Sequence, residues 1–290
     1  MEAITTEDLV VNGIRFPAVA HDEESLRYVQ HEFQVRDDDV FNVTYPKSGT
    51  TWMQEILTLI NSKGDLSLYK SSPNWDRVPW VEQKTGRGNL ESRPSPRLIT
   101  SHLPVHMFPK SFFGSKAKLI YTVRNPKDAC VSLFFYCQIA EFLKTTENFG
   151  DFYSLFMKGD VIYGSWFDHV SGWLSLKDQT NILLMSYEGM LQDPRGSIVK
   201  LCNFLGRDLD DVAIDTVVEN TSFKNLKNNQ MSNYTLVPNE FIDQRKGSFF
   251  RKGISGDWKN YFTVAQSEEF DKIFEEKMKN FNLKERFGWD

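Results

Sequence analysis

Apolar positions along the chain fall into two kinds of run. Short blocks rich in apolar and β-branched residues recur at 40–45, 97–101, 118–123 and 181–186, each followed by polar or glycine-bearing residues. Such blocks read as buried strands. Elsewhere the apolar residues adopt helical spacing. Trp52, Met53, Ile56, Leu57 and Ile60 share one face, and Ile198, Leu201 and Phe204 share another. The second helix has Asp193 and Pro194 as its N-cap and first-turn pair and Gly206 as its stop. Thr263 and Gln266 have the spacing of a capping box ahead of Phe270, Ile273, Phe274, Lys277 and Phe281. Strand blocks alternating with helical stretches predict an α/β fold, a central, mostly parallel sheet flanked by helices. No repeat or linker divides the chain, so one domain over 1–290 is expected. Residues 64–96 carry prolines, glycines and two tryptophans. They read as a long excursion over the sheet edge, where substrate loops tend to sit.

Composition narrows the function classes. An aromatic share of 14% fits a thick core or an apolar pocket. The net charge of -5 argues against broad binding to nucleic acid or anionic membrane, so a basic cluster would mark a local anion site. Cys130, Cys137 and Cys202 form no Cys-x-x-Cys pair, which suggests reduced thiols and neither a disulfide framework nor a zinc ribbon. The first 13 residues are acidic and lack an apolar leader core, and the apolar stretch 129–140 is too short to span a bilayer. A cytoplasmic protein is expected.

Three loops then carry chemistry. In TYPKSGTTW a strand passes through Pro46, Lys47, Ser48, Gly49, Thr50 and Thr51 into a helix beginning near Trp52. Free amides and the helix dipole at such a junction favour an anion. The lysine precedes the glycine, and Pro46 stands where a triphosphate-binding loop has its second glycine. In KLIYTVRNPKD the strand ends on Arg124, a cation where a nucleotide triphosphatase usually has a magnesium-holding carboxylate. Asp128, past the turn, would favour a helix N-terminus. In SFFRKGISGDW, Arg251 and Lys252 share one loop with two glycines. Taken singly, Arg124 reads better as a surface salt bridge and Arg251 with Lys252 as a solvated basic turn. Together, the three loops suit a ligand with two separated anionic groups, such as a nucleotide phosphorylated at both ends of its ribose.

His102 follows the second strand block at the ligand-binding end of the sheet. A histidine suits proton abstraction near neutral pH, although a lone one is more often a core or surface residue. His102 and His106 mimic a metal pair, but Pro104 between them and the lack of an acidic partner argue against one.

These motifs, in this order, resemble the cytosolic sulfotransferases, from about residue 16 to residue 289. SSPNWDRVPW, SHLPVHMFPKSFFGSKAKLIY, YGSWFDHVSGW and MSNYTL resemble the hydroxysteroid subfamily most. Thr100 stands where phenol and oestrogen enzymes carry a lysine. The resemblance implies a donor, 3′-phosphoadenosine 5′-phosphosulfate, with its 5′ end on Lys47, Ser48, Gly49, Thr50, Thr51 and Trp52. It places the 3′-phosphate on Arg124, Ser132, Arg251, Lys252 and Gly253, and the adenine among Tyr187, Thr221, Ser222, Phe223 and Leu226. His102 would take the acceptor's proton, the oxygen would attack sulfur in line, and Lys47 would stabilise the charge leaving as adenosine 3′,5′-bisphosphate. Ser48 would restrain Lys47 until the acceptor arrives. A sulfonate carries less charge than a phosphoryl dianion, so no metal is expected. Trp75, Trp80, Phe135, Tyr136, Tyr234 and Phe241 match acceptor-pocket positions for a small apolar alcohol. Lys259, Thr263, Val264 and Glu268 match a short dimer motif, implying a homodimer. A phenol or xenobiotic acceptor is the nearest alternative. A kinase would need the triphosphate loop and a magnesium carboxylate, a binding scaffold would have no use for both His102 and Lys47, and a Golgi enzyme would need an N-terminal anchor.

Overall fold

The computed structural model describes residues 7–289. The first six residues, on which the leaderless reading partly rests, lie outside the described part, as does Asp290.

Four strands form the predicted sheet: β3 (Val40–Thr44), β4 (Leu98–Ser101), β5 (Lys118–Val123) and β6 (Ile182–Ser186). Their order is β4-β3-β5-β6 and every pairing is parallel. Side chains alternate between the two faces. Phe41, Val43, Ile99, Leu119 and Tyr121 enter one core cluster, and Val40, Ile120 and Met185 enter the other. Both faces are covered, which is why the strand blocks read as nearly continuous apolar runs.

The second cluster is closed by α2 (Thr50–Asn61), α10 (Pro194–Leu205) and α11 (Asp211–Asn220), through Met53, Ile56, Leu57, Ile60, Ile198, Leu201, Ile214 and Val217. On the other face lie α6 (Pro126–Ile139), α7 (Phe149–Lys158), α8 (Trp166–Leu174) and α13 (Val264–Met278), contributing Leu133, Phe156, Trp166, Trp173 and Phe270. The caps are those the sequence signals. Asp193 accepts from the Gly196 amide, Gly206 closes α10 at φ 67°, and Thr263 with Gln266 forms a capping box. Phe281 lies past the end of α13 rather than within it.

A hairpin, β1 (Asp8–Val11) with β2 (Ile14–Pro17), was not expected, although its signal is in the sequence. Asn12 and Gly13 both adopt positive φ, the geometry that Asn-Gly supplies to a two-residue hairpin turn. Residues 64–96 form three short helical segments, α3 (Ser67–Ser71), α4 (Asn74–Arg77) and α5 (Gly86–Glu91). The excursion docks on the edge strand as predicted: the Val81 amide donates to the Thr100 carbonyl and the Thr100 amide to the Pro79 carbonyl. That covers an edge that would otherwise stay unpaired.

Because all four strands run in one direction, their carboxyl ends meet on one side. The lysine loop, His102, Arg124 and Tyr187 each begin within three residues of a strand end. Ligands of open α/β sheets bind on that side.

Candidate active site

The loop between β3 and α2 turns sharply. Lys47 has φ 65° and Gly49, the residue before α2, has φ 98°. A Cβ on Gly49 would lie 2.9 Å from the Tyr187 ring, so glycine is needed for both the turn and the space. Arg124 does not form a surface salt bridge. It is buried, and its guanidinium donates to the Lys47 carbonyl at 2.9 Å and the Ile254 carbonyl at 3.2 Å. One side chain thereby ties all three basic loops together. Nor is the third loop a free basic turn, since Arg251 and Lys252 both pair with buried Asp257. Asp128 is in the first turn of α6, as expected. Its carboxylate also accepts from the Gly256 and Trp258 amides, at 2.7 and 3.0 Å, and so fastens the third loop to the second.

The cradle contains buried polar atoms with no protein partner: Ser48 Oγ, Trp52 Nε1 and Arg124 Nε. Lys47 lies between cations. Burial, with repulsion from Arg124 and Arg251, lowers its pKa to about 7. A polyanion would satisfy the orphaned donors and offset that repulsion. The residues therefore fit an anionic nucleotide. Among the described residues no group of three or more His, Cys, Asp or Glu side chains is arranged to hold a metal ion.

His102 is held from several sides. Its Nδ1 lies 2.7 Å from the Thr44 carbonyl, which can only accept, so Nδ1 carries the proton and Nε2 the free lone pair. The His102 amide donates to Glu82 Oε1 at 2.7 Å. The His102 carbonyl accepts from His169 Nε2 at 3.0 Å, and His169 Nδ1 in turn accepts from the Tyr121 hydroxyl at 2.9 Å. The rings of Trp80 and Tyr163 flank the imidazole at 4.5 and 5.0 Å between centroids. Burial pushes the His102 pKa down to about 3, which keeps the ring neutral and able to accept a proton.

A cavity of about 610 Å³ joins these parts. Its lining includes Lys47, Arg124, Ser132, Tyr187, Phe223, Leu226 and the 251–253 loop, together with His102, Trp75, Trp80, Tyr163, Tyr234, Val237 and Ile242. The profile of the Sulfotransferase domain family matches residues 37–282. The chain belongs to the sulfotransferase family. Over 278 residues it is 50% identical to mouse Sulfotransferase 2B1, which spans 96% of this chain and 81% of the relative. It is 49% identical to the guinea pig 3-alpha-hydroxysteroid sulfotransferase over 96% of each chain. The solved mouse sulfotransferase SULT7A1, complexed with PAP, superposes with a TM-score of 0.81 at 35% identity, over 97% of this chain and 99% of that one.

The sulfotransferase fold brings most of the expected site residues to one cavity, but not all. Phe135 packs on Arg251 and Tyr261 and is absent from the cavity wall. Tyr136, the next residue of α6 and turned about 100° from Phe135, lines the cavity. Phe241 is likewise outside the wall, and its neighbour Ile242, bridged to Ala140, lines it instead. Thr221 spends its hydroxyl on the Val217 carbonyl, and Ser222 precedes α12 (Phe223–Asn228) without lining the cavity. Ser48 is buried, and its hydroxyl has no hydrogen-bond partner. Sequence reasoning passed over His21, Tyr163, Phe249 and Glu82. Tyr163 opens YGSWFDHVSGW and Phe249 precedes the basic loop, but an aromatic residue alone does not distinguish a pocket wall from core. Among the described residues no helix is long and apolar enough to cross a membrane.

Proposed function

We propose that this sulfotransferase moves a sulfonate group from 3′-phosphoadenosine 5′-phosphosulfate to the hydroxyl of a small apolar acceptor, a hydroxysteroid first among them. The reading rests chiefly on one observation: a neutral histidine, with Nδ1 committed to Thr44, shares a cavity with three interlocked basic loops and an aromatic wall. The relatives named as hydroxysteroid sulfotransferases support the acceptor class.

The donor supplies the activated sulfonate, and adenosine 3′,5′-bisphosphate is its remainder. Lys47, Ser48, Gly49, Thr50, Thr51 and Trp52 would hold its 5′ end. Arg124, Ser132, Arg251, Lys252 and Gly253 would hold the 3′-phosphate, and Tyr187, Phe223 and Leu226 would bracket the adenine. His102 Nε2 receives the acceptor's proton, and the Thr44 carbonyl keeps the ring in the tautomer that allows it. Lys47, poised between charged and neutral forms, gains its proton fully beside an anion and steadies the charge left on the 5′ side. Trp75, Trp80, Tyr136 and Tyr234 exclude water and orient the acceptor.

The same reading makes residues 1–290 one sulfotransferase domain acting in the cytoplasm in sulfate conjugation and detoxification, without metal, nucleic acid or membrane. A homodimer through Lys259, Thr263, Val264 and Glu268 is part of it. Val264 supports that surface, being 76% exposed at the start of α13. Light scattering tests the dimer.

The decisive experiment is a panel of hydroxysteroids, simple phenols and aliphatic alcohols with labelled donor, with and without added magnesium. Steroid sulfate formed without metal is expected. Preference for small phenols would move the enzyme to the xenobiotic class, and transfer of phosphate from ATP would overturn the reaction itself.

A further inference from the structure

The Lys47 ammonium has aromatic rings for neighbours. Nζ lies 4.3 Å from the Tyr136 centroid and 4.1 Å from the Phe249 centroid, and the two rings meet nearly edge to face at 84°. Both distances are well inside the range of about 6 Å over which a ring face attracts a cation. Among the described residues Lys47 makes no ion pair, and its charged neighbours Arg124 and Arg251 both repel it. The two rings face the ammonium directly, and the Cys137 thiol is a further favourable neighbour. They also continue outward. Phe249 lies 4.1 Å from Tyr234, and Tyr234 lies 5.1 Å from Trp75, centroid to centroid. All four aromatics and Lys47 line the same cavity.

We propose that Tyr136 and Phe249 are positioning residues that clamp the Lys47 ammonium at the reacting end of the cavity and link it, through Tyr234, to Trp75 in the acceptor wall. The catalytic consequence rests on the proposed role of Lys47 in transfer, whereas the clamp itself stands on the ring geometry. An acceptor that fills the space beside Tyr234 and Phe249 packs against the rings that set the lysine. An acceptor too small to reach them leaves the lysine less constrained. Specificity for bulky apolar alcohols is then expressed in kcat as well as in binding.

The test uses the full chain as Tyr136→Leu, Phe249→Leu and Tyr136→Phe, and with a ring-fluorinated phenylalanine at position 249. Fluorination keeps the ring's shape while weakening its negative face. Acetylation of Lys47 by acetic anhydride, followed by peptide-resolved mass spectrometry, reports the lysine's position without any turnover. The rate is expected to rise roughly fivefold or more in both leucine variants and in the fluorinated protein, as lost cation–π contacts release the amine, and to stay low in Tyr136→Phe. The leucine variants are also expected to lose about tenfold in kcat with a smaller change in donor KM. Unchanged acetylation in the ring-weakened proteins overturns the clamp, and the fluorinated protein decides the matter where a leucine variant fails to fold. Faster acetylation alongside a Lys47→Ala variant of normal turnover upholds the clamp and removes Lys47 from the transfer step.

Discussion

His102 and Thr44 are joined across β4 and β3 by a 2.7 Å hydrogen bond from imidazole Nδ1 to the main-chain carbonyl. The bond fixes which nitrogen can act as base, and burial keeps that nitrogen unprotonated. Removing the ring in His102→Ala is expected to lower kcat by about 10²–10⁴, the usual range for a general base. Affinity for adenosine 3′,5′-bisphosphate should change little, because the basic loops do not depend on the imidazole. With the His102 pKa near 3, turnover should not fall through histidine protonation between pH 8 and pH 5. A kcat profile that drops with a midpoint near 6.5, the ordinary histidine value, would count against a buried neutral base.

Glu82 faces the same histidine from behind and has a different pH signature. It is fully buried, one carboxylate oxygen has no partner, and burial raises its pKa to about 7. A carboxyl whose folded pKa is raised binds its proton more tightly when folded. Stability from this group is therefore greatest below the unfolded value of 4.5 and is lost as pH rises through about 7. Raising the carboxyl from 4.5 to about 7 corresponds to roughly 3 kcal/mol. Glu82→Gln keeps an oxygen for the His102 amide and removes the titration. Denaturant melts at pH 5 and pH 8 should show the variant gaining on the wild type at the higher pH. Equal differences at both pH values would refute the assignment.

Arg77 and Glu55 form a buried ion pair in which the guanidinium Nη2 donates to both carboxylate oxygens at 2.8 Å, and Glu55 also accepts from Ser232 at 2.7 Å. The cluster joins α2, just past the lysine loop, to the excursion and to the segment leading to Tyr234. Arg77→Ala leaves a carboxylate buried without its partner, which typically costs about 3–5 kcal/mol. Equilibrium unfolding should register that loss, and acceptor KM should rise as Trp75 and Tyr234 loosen. A loss under about 1 kcal/mol would make this no better than a surface pair.

Gly253 has φ 67°, and a Cβ there would lie 2.1 Å from the Phe223 ring. Gly253→Ala must displace either the basic loop or the ring, both assigned to the donor. Calorimetric titration with adenosine 3′,5′-bisphosphate is expected to show about tenfold or greater weakening, an effect of roughly 1.4 kcal/mol. Wild-type affinity would show that the loop and the ring do not work together in donor binding.

Much of this protein is written locally. The four strand blocks, the caps at Asp193, Gly206 and Thr263, and the glycine-bearing turn before α2 are set by residues close in sequence, so periodicity and turn chemistry find them. The parallel sheet follows from alternation, and the convergence of Lys47, His102 and Arg124 follows from parallel strands. Motif order was enough to identify the family. What the tertiary structure alone decided involves partners far apart in the chain. The His102 tautomer depends on Thr44, 58 residues away, and Arg124 reaches Ile254 across 130. Asp128 turned out to fasten a distant loop, and Lys47 to rest between Tyr136 and Phe249. Phe135 and Tyr136 are equivalent as sequence, yet the rotation of α6 gives one to Arg251 and the other to the cavity. Hydrogen-bond partners, burial and ring contacts depend on how helices and strands are packed against each other, and spacing along the chain does not carry that information.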